Sequence, residues 1–446
     1  MNKKVYIIGI GGIGVSGIAR YYNHIGYEVY GSDSTNSELI ENLKKEKIDI
    51  FIGERNDFIS RGIDLVIYTE AIPKNNKELQ KALELGIKTL TYPEALALIA
   101  NDKKLIAISG SHGKSTTTSM ISILMQNSNL KINTIVGSLL KEFGGKNSYF
   151  SDSEYFSIEA CEYKRSFLKY TPYIGVITNI DLDHLDYYKD LEDYISAFES
   201  FINNIKIGGY VLINGYDKNS LKLVGKRQDI NYIIIYNDYY EVINNELIKK
   251  YTIPNFSLKI PGKHILFDAK IAYTVGKIVG LDDDLIINSL KNYNGIWRRS
   301  EIVGETLNGN ILMSDYGHHP TEIKLNLEAL KDKYKNKEIV CIFQPHQYNR
   351  TLELLEDFKE SFLNSDLLIV PNIYKSRDSL EDMGKINGES FLNYINHNNK
   401  IFGNGLENTL EIIKKLDIDN PNKYLFILQG AGDIDNLRYD IEIKRD

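Results

Sequence analysis

The chain has 446 residues, which at roughly 100–200 residues per domain means two to four domains and excludes a single small binding module. Hydrophobic residues make up 43% and charged residues 25%, as in soluble globular proteins, so each domain can bury a core and wholesale disorder is not expected. A net charge of −7 supplies no global field toward nucleic acid or anionic lipid, so neither is expected as a partner and any polyanion must be held by local groups. Cys161 and Cys341 are far apart and form no C-x-x-C pair, which suits a reducing compartment. Residues 1–20 lack the order of a signal peptide, and no apolar run approaches the roughly 18 residues of a membrane span. The expectation is a cytoplasmic protein acting on a small molecule, as a monomer or a homodimer.

In chain order, the apolar runs 4–9, 27–33 and 64–70 alternate with helix-like stretches, which predicts parallel sheet. A second series opens at 104–110 and continues through 155–162, 173–180, 209–215 and 231–237. A third runs through 310–317, 338–344, 366–370 and 424–428, with an amphipathic helix predicted over 320–334. Three tandem α/β domains follow: 1–99, 100–297 and 298–446.

Gly9-Ile10-Gly11-Gly12-Ile13-Gly14 fits G-x-G-x-x-G between a strand and a helix, and Asp33 stands nineteen residues beyond Gly14 at the end of the next strand. Such a turn brings a diphosphate to backbone N–H groups and the positive end of a helix. It selects a diphosphate rather than a nicotinamide. On this turn alone an NAD-type cofactor, another nucleoside diphosphate and a structural tight turn all stay open.

The stretch Gly110-Ser111-His112-Gly113-Lys114-Ser115-Thr116 follows a strand and precedes a helix, as a phosphate-binding loop does. It is shortened relative to the strict Walker A form, because Ile108 stands where that form has its first glycine. Backbone N–H groups would cradle a β-phosphate, Lys114 would reach the β and γ oxygens, and the Ser115 hydroxyl would ligate Mg²⁺. ATP binding is expected. Glu159, near the carboxyl end of a strand expected beside the loop strand, and His184 in the polar turn 179–186 are the chosen further metal ligands. Asp181, Asp183 and Asp186 in that turn read better as turn formers or helix caps.

Together, GIGGIGVSG (9–17), SGSHGKSTTT (109–118), EACEYKRSFL (159–168), NIDLDHLDYY (179–188), PGKH (261–264), WRRSE (297–301), DYGHHPTEI (315–323), FQPHQYNRT (343–351) and QGAGDI (429–434) resemble the Mur ligases. The resemblance runs through all three domains in order and is strongest toward the muramate-ligating branch. It implies a Rossmann-like first domain for a UDP sugar, a P-loop ATPase-like central domain for MgATP, and a Rossmann-like C-terminal domain that brings in an amino acid. The implied reaction joins L-alanine to the lactyl carboxylate of UDP-N-acetylmuramate through an acyl phosphate, with ATP and Mg²⁺ required.

By the same resemblance, Gly9, Gly11, Gly12, Ile13, Gly14, Ser32, Asp33, His112 and Arg298 serve the UDP sugar. Gly110, Ser111, His112, Gly113, Lys114, Ser115, Thr116, His264, Asp268, Arg299, Asp315 and Tyr316 serve ATP. Tyr316, His346 and Arg350 serve the amino acid, whose carboxylate an arginine fork can pair bidentately. Lys114, His184, Arg299, His318, His346 and Arg350 carry the chemistry, and Ser115, Glu159 and His184 the metal. His319, before Pro320, reads as a local cap.

The chain departs from the family pattern at Ile265 and Asp268, where asparagines that help read adenine are usual. Gln347 replaces a frequent arginine and Ser300 a usual phenylalanine. Residues 194–199 contain no lysine, so no carbamylated lysine is expected near the metal. The rival readings are a peptide-adding ligase on the same UDP sugar in cell-wall recycling, an NAD-dependent oxidoreductase, and a non-catalytic nucleotide-binding protein.

Overall fold

The computed structural model describes residues 3–184, 187–243, 246–376 and 378–444. Among these, three sheets form, one from each apolar series. The first contains β1 (Lys4–Ile8), β2 (Glu28–Asp33), β3 (Asp49–Ile52), β4 (Leu65–Tyr68) and β5 (Lys88–Thr91), all parallel in the order β3-β2-β1-β4-β5. Strand order reverses beside β1, so the glycine turn that follows it opens at the switch point where parallel sheets bind ligands.

The second sheet holds β6 (Lys104–Ser109), β7 (Asn133–Leu140), β8 (Lys146–Tyr149), β9 (Tyr155–Glu159), β10 (Ile174–Ile177), β11 (Tyr210–Asn214), β12 (Asn231–Ile235), β13 (Tyr239–Ile243) and β14 (Glu246–Tyr251). Its order is β14-β13-β12-β11-β10-β6-β9-β7-β8. The loop strand β6 lies between β10 and β9, parallel to both, as expected of the 155–162 run. The segments that leave β6, β9 and β10 therefore emerge side by side at one edge, and they carry 110–116, 159–163 and 178–184.

The third sheet contains β15 (Glu301–Glu305), β16 (Ile311–Asp315), β17 (Glu338–Phe343), β18 (Leu367–Val370), β19 (Lys400–Phe402) and β20 (Tyr424–Gln429), ordered β15-β16-β20-β17-β18-β19. Helix Pro320–Lys333 follows β16 where the periodicity placed it, and His319 is its N-cap, accepting from the Thr321 N–H at 3.3 Å. Strands such as Glu338–Phe343 are apolar without alternation because successive residues, pointing to opposite faces, are all buried.

The chain divides into two compact units, Met1–Phe256 with Asp268–Tyr293, and Ser257–Phe267 with Asn294–Asp446. The first two sheets share one unit. The boundary passes through helix Lys263–Ile278, between Phe267 and Asp268. Among the described residues, no helix is long and apolar enough to cross a membrane.

Phe343 closes β17 and packs its ring against Phe358, Phe362 and Phe391 with centroids 5.6, 5.0 and 6.0 Å away. Phe343→Ala is expected to cost about 3–5 kcal/mol through lost burial and a residual cavity. Leu380→Ala, at an 84% exposed position, should change stability by no more than about 0.5 kcal/mol. Denaturant unfolding followed on the C-terminal unit checks both.

Candidate active site

The glycine turn is held by the strand beside it. Gly9 and Ile10 N–H groups donate to the Ser32 carbonyl at 2.8 and 3.1 Å, and the Gly11 N–H donates to Asp33 Oδ2 at 2.9 Å. Helix Ile13–His24 starts directly after Gly12. The Ser32 hydroxyl is buried and donates to Glu78 Oε2 at 2.7 Å, while Tyr6 OH and the Arg55 N–H donate to Glu78 Oε1 at 2.6 and 2.9 Å. Glu78 was not singled out from the sequence. It sits in a plain amphipathic helix, and only the fold brings it under β1 and β2.

The phosphate loop of the second sheet has its glycines where backbone geometry demands them. Gly110 has φ 129° and lies against Thr178 and Asn179, so a side chain there would meet Thr178 Oγ1 and the Asn179 backbone. Gly113, at φ 83°, is the N-cap of helix Lys114–Gln126, and a Cβ there would stand 2.7 Å from Asp268 Oδ1. Asp268 therefore abuts the loop itself. The Ser111 hydroxyl donates to the Asp181 carbonyl at 2.5 Å, and the His112 N–H donates to Asn179 Oδ1 at 3.0 Å. The His112 ring pairs with Asp181 Oδ2 at 3.3 Å. Ser115 and Thr116 fall in the first helical turn.

Lys114 donates to the Gly110 carbonyl, to the Ser111 carbonyl at 3.1 Å and to Glu162 Oε1 at 3.1 Å. Glu162 is fully buried, and its Oε1 also accepts from Tyr194 OH at 3.3 Å and faces His184 Nε2 at 3.5 Å. Burial opposes charge on both Lys114 and Glu162, yet their mutual attraction prevails. The lysine pKa stands above its ordinary value and the carboxylate pKa below. Glu162 Oε2 is buried with no hydrogen-bond partner. His184 adopts φ 57°, and its ring packs 4.7 Å from that of Tyr163.

Glu162 is the carboxylate that faces His184 directly, in addition to the Glu159 expected there. Glu159 is the last residue of β9, and its Oε1 accepts from the Gly137 N–H at 2.5 Å. The segment Glu159-Ala160-Cys161-Glu162 carries an acid at each end, and that repetition was the available signal. Asp181 and Asp183 line the turn before His184, and Asp186 lies outside the described residues.

In the other unit, Arg298 is buried and donates through Nη2 to the Gly430 and Gly432 carbonyls at 2.5 and 3.1 Å. Arg299 donates to Glu322 Oε1 at 3.3 Å, and both guanidinium groups lie over the Tyr316 ring at 5.0 and 5.2 Å. Asp315 accepts from Ser300 N–H and Gly317 N–H at 2.7 Å each and from Gln429 Nε2 at 2.8 Å. Burial pushes its pKa up against the pull of Arg299 and those N–H donors. Its carboxylate organises the loop around Tyr316 from within.

His318 and His346 come together with ring centroids 6.0 Å apart, and His346 stacks on Tyr374 at 5.3 Å. Arg350 lies in helix Tyr348–Glu353, which starts after Gln347 at φ 72°. Asp378 accepts from the Tyr348 N–H at 2.7 Å and from the Ser376 N–H at 2.9 Å, tying that helix to the segment after β18. Tyr374 and Asp378 were not anticipated. They sit in an irregular stretch that reaches the His346 loop only through sheet order. His264 and Asp268 share helix Lys263–Ile278, and His264 lies in the unit that holds Arg298.

Comparison with known proteins places this geometry. The Mur ligase catalytic-domain model matches residues 4–104, the Mur ligase middle-domain model 108–272, and the Mur ligase glutamate-ligase-domain model 298–402. The chain is 40% identical to a UDP-N-acetylmuramate–L-alanine ligase of Clostridium novyi, over 97% of this chain and 96% of that one. It is 39% identical to the protein of the same name from Alkaliphilus metalliredigens, over 97% and 95%. A crystal structure of UDP-N-acetylmuramate–alanine ligase from Thermotoga maritima superposes with TM-score 0.78 at 23% identity, covering 98% of this chain and 97% of that one. A murein peptide ligase structure from Psychrobacter arcticus gives TM-score 0.69 at 19% identity, covering 98% of each chain. At those identities the two structures speak for the fold alone. With three family models in sequence order and near full-length relatives at 39–40% identity, the chain belongs to the Mur ligase family.

Proposed function

We propose that the chain joins L-alanine to the lactyl carboxylate of UDP-N-acetylmuramate, converting ATP to ADP and phosphate, in peptidoglycan precursor synthesis. The observation that carries this reading is identity of 39–40% over 97% of the chain to relatives with that activity in their names. The division of labour is 1–99 for the UDP sugar, 100–297 for MgATP and 298–446 for the amino acid, with the work done in the cytoplasm.

The lactyl carboxylate attacks the γ-phosphorus of ATP, ADP leaves, and an acyl phosphate forms. The alanine amine then adds to the acyl carbon, a tetrahedral intermediate collapses, and phosphate departs. Both steps gather negative charge, so cationic and N–H donors must already face the reacting oxygens. The glycine turn with Asp33 offers the diphosphate cradle, and Lys114 with the loop N–H groups offers the triphosphate cradle. Arg299 serves the phosphates. His318, His346 and Arg350 receive the acyl phosphate and the alanine carboxylate.

The residues present fit a divalent cation. A buried carboxylate oxygen without a partner beside an imidazole is a position that a cation satisfies, and Glu162 Oε2 with His184 provides it. Glu159 and His184, with Ser115 at the loop, would hold Mg²⁺, and Glu162, with Oε2 unpartnered and Oε1 facing His184, is a further donor there. Bound there, Mg²⁺ supplies charge neutralisation at the transferring phosphoryl group.

The direct test incubates the protein with MgATP and UDP-N-acetylmuramate, adds L-alanine, glycine, L-serine or a tripeptide in turn, and measures ADP and phosphate. Turnover with L-alanine is expected, and turnover with tripeptide alone would select the recycling ligase instead. Lys114→Ala should lower kcat by on the order of 10²–10³-fold with UDP-sugar binding retained in calorimetry. It also leaves Glu162 buried and unpaired, so unfolding should report a loss of about 3–5 kcal/mol. Glu159→Gln and Glu162→Gln should each raise the Mg²⁺ concentration for half-maximal rate by about tenfold or more. An unchanged value in either variant would take that carboxylate off the metal. Arg350→Ala should raise the alanine KM by about ten- to hundredfold, and an unchanged KM would move the carboxylate anchor elsewhere.

A further inference from the structure

Helix Ile13–His24 leaves the glycine turn and packs one flank on β7 and β8 of the central sheet, inside the same compact unit. Asn147 on β8 stands at the centre of that contact with no exposed surface. Its Nδ2 donates to the Ile13 carbonyl and, at 3.2 Å, to Ser16 Oγ. Its Oδ1 accepts from Arg20 Nη1 at 2.5 Å. Arg20 is itself buried, and its Nε and Nη2 both donate to Glu46 Oε1 at 3.0 Å. Glu46 pairs in turn with Lys146 Nζ, the neighbour of Asn147, at 3.2 Å. Ile13 is the first residue of the helix, so this chain of bonds reaches the backbone of the turn itself.

We propose that Asn147 is a positioning residue that sets the diphosphate-binding turn of the first domain from the central domain. Ile13 opens the helix, and the N–H groups of that first helical turn, rather than those of Gly9, Ile10 and Gly11 that bond Ser32 and Asp33, are the ones that would meet the diphosphate. Only a carboxamide can donate to the Ile13 carbonyl and accept from Arg20 through one planar group, since aspartate lacks the donor and leucine lacks both functions. The same sheet carries the Lys114 loop on β6, so the amide of Asn147 helps fix the separation between the two anion cradles.

A second observation, independent of the hydrogen bonds, points the same way. Gly17 meets β7 so closely that a Cβ would lie 2.6 Å from Ile135 Cγ2 and 3.3 Å from Asn147 Nδ2. A methyl group at 17 must displace the Ile135 side chain or the helix. Alanine is otherwise the better helix former, so any loss of function in Gly17→Ala comes from the contact and not from the helix.

The inference rests on the first domain holding the UDP sugar, and the experiment separates the two. Calorimetric titration of the whole protein with UDP-N-acetylmuramate, and separately with ATP, is combined with steady-state kinetics. Asn147→Ala is expected to weaken UDP-sugar binding and raise its KM by about tenfold, the effect of one or two buried hydrogen bonds, with the KM for ATP within about twofold. Gly17→Ala should shift the same constant in the same direction. Arg20→Lys keeps the charge opposite Glu46 while losing the bond to Asn147, and should give a smaller shift of the same kind should Asn147→Ala fail to fold. Wild-type affinity for the UDP sugar in both Gly17→Ala and Arg20→Lys overturns the positioning role, as does an equal loss of ATP affinity. Failure of the wild-type protein to bind the UDP sugar at all would instead overturn the reading of the first domain.

Discussion

A buried carboxylate at the mouth of a phosphate loop is the constraint around which the central domain is arranged. Lys114 and Glu162 lie 3.1 Å apart with Glu162 wholly enclosed, and at an effective dielectric of about 20 their attraction is on the order of 5 kcal/mol. That gain opposes a desolvation cost of several kcal/mol per ion, so the pair holds only because both partners are present. The shared oxygen Oε1 also takes Tyr194 and faces His184. Lysine, histidine and tyrosine from three different segments are thus drawn to one carboxylate. A polyphosphate entering this loop meets a negative group already in place. Lys114 cannot fully neutralise both.

The C-terminal unit solves the opposite problem, since there a buried cation is held by two carbonyls and an aromatic ring with one carboxylate farther off. Arg298 turns Nη2 to two backbone carbonyls and stacks beneath Tyr316, while Asp435 stands 3.7 Å from its Nε. Burial lowers its pKa, with Asp435 acting against that shift. These contacts make Arg298 a brace between the loops after β16 and β20. Arg299, partly exposed and tethered to Glu322 at the long distance of 3.3 Å, is the member of the pair whose guanidinium has the greater freedom to turn.

Much of this was legible in the sequence because parallel strands buried on both faces read as unbroken apolar runs. KLIAIS, YLFIL and EIVCIF fall on β6, β20 and β17 with ends shifted by a residue or two. The strands that escaped notice lack such runs. β14 reads ELIKKY and is exposed along its whole length, β3 is four residues with no buried position, and β7 is interrupted by Gly137 and Ser138. Loops after the legible strands follow by the same logic, which is how the segments bearing Lys114 and His184 come to lie at one end of the central sheet. That Glu162 also reaches Lys114 and His184 depends on where β9 stops, a matter of three residues. Glu78, Asn147, Tyr374 and Asp378 had no local signal, because each acts on a segment that only the fold brings near.

Backbone conformation adds a further step. Ten described non-glycine residues have positive φ, and six of them, Lys164, Arg165, His184, Arg298, Ser300 and Gln347, fall within the motifs that carry the family resemblance. Such conformations cost on the order of 1 kcal/mol or more apiece for side-chain-bearing residues and persist only where surrounding bonds over-determine them. Those bonds are present. The Arg298 N–H donates to Glu301, the Ser300 N–H to Asp315, the Gln347 N–H to the Tyr374 carbonyl, and the Arg165 N–H to the Glu162 carbonyl. The polar residues that sequence reasoning assigned to ligands, Asp315 above all, therefore hold neighbouring loops in uncommon conformations. Substituting Asp315 would release Ser300 and Gly317 together and disorder the segment bearing Arg299 and Tyr316, so loss of activity in such a variant would reflect the loop before it reflected any contact with nucleotide.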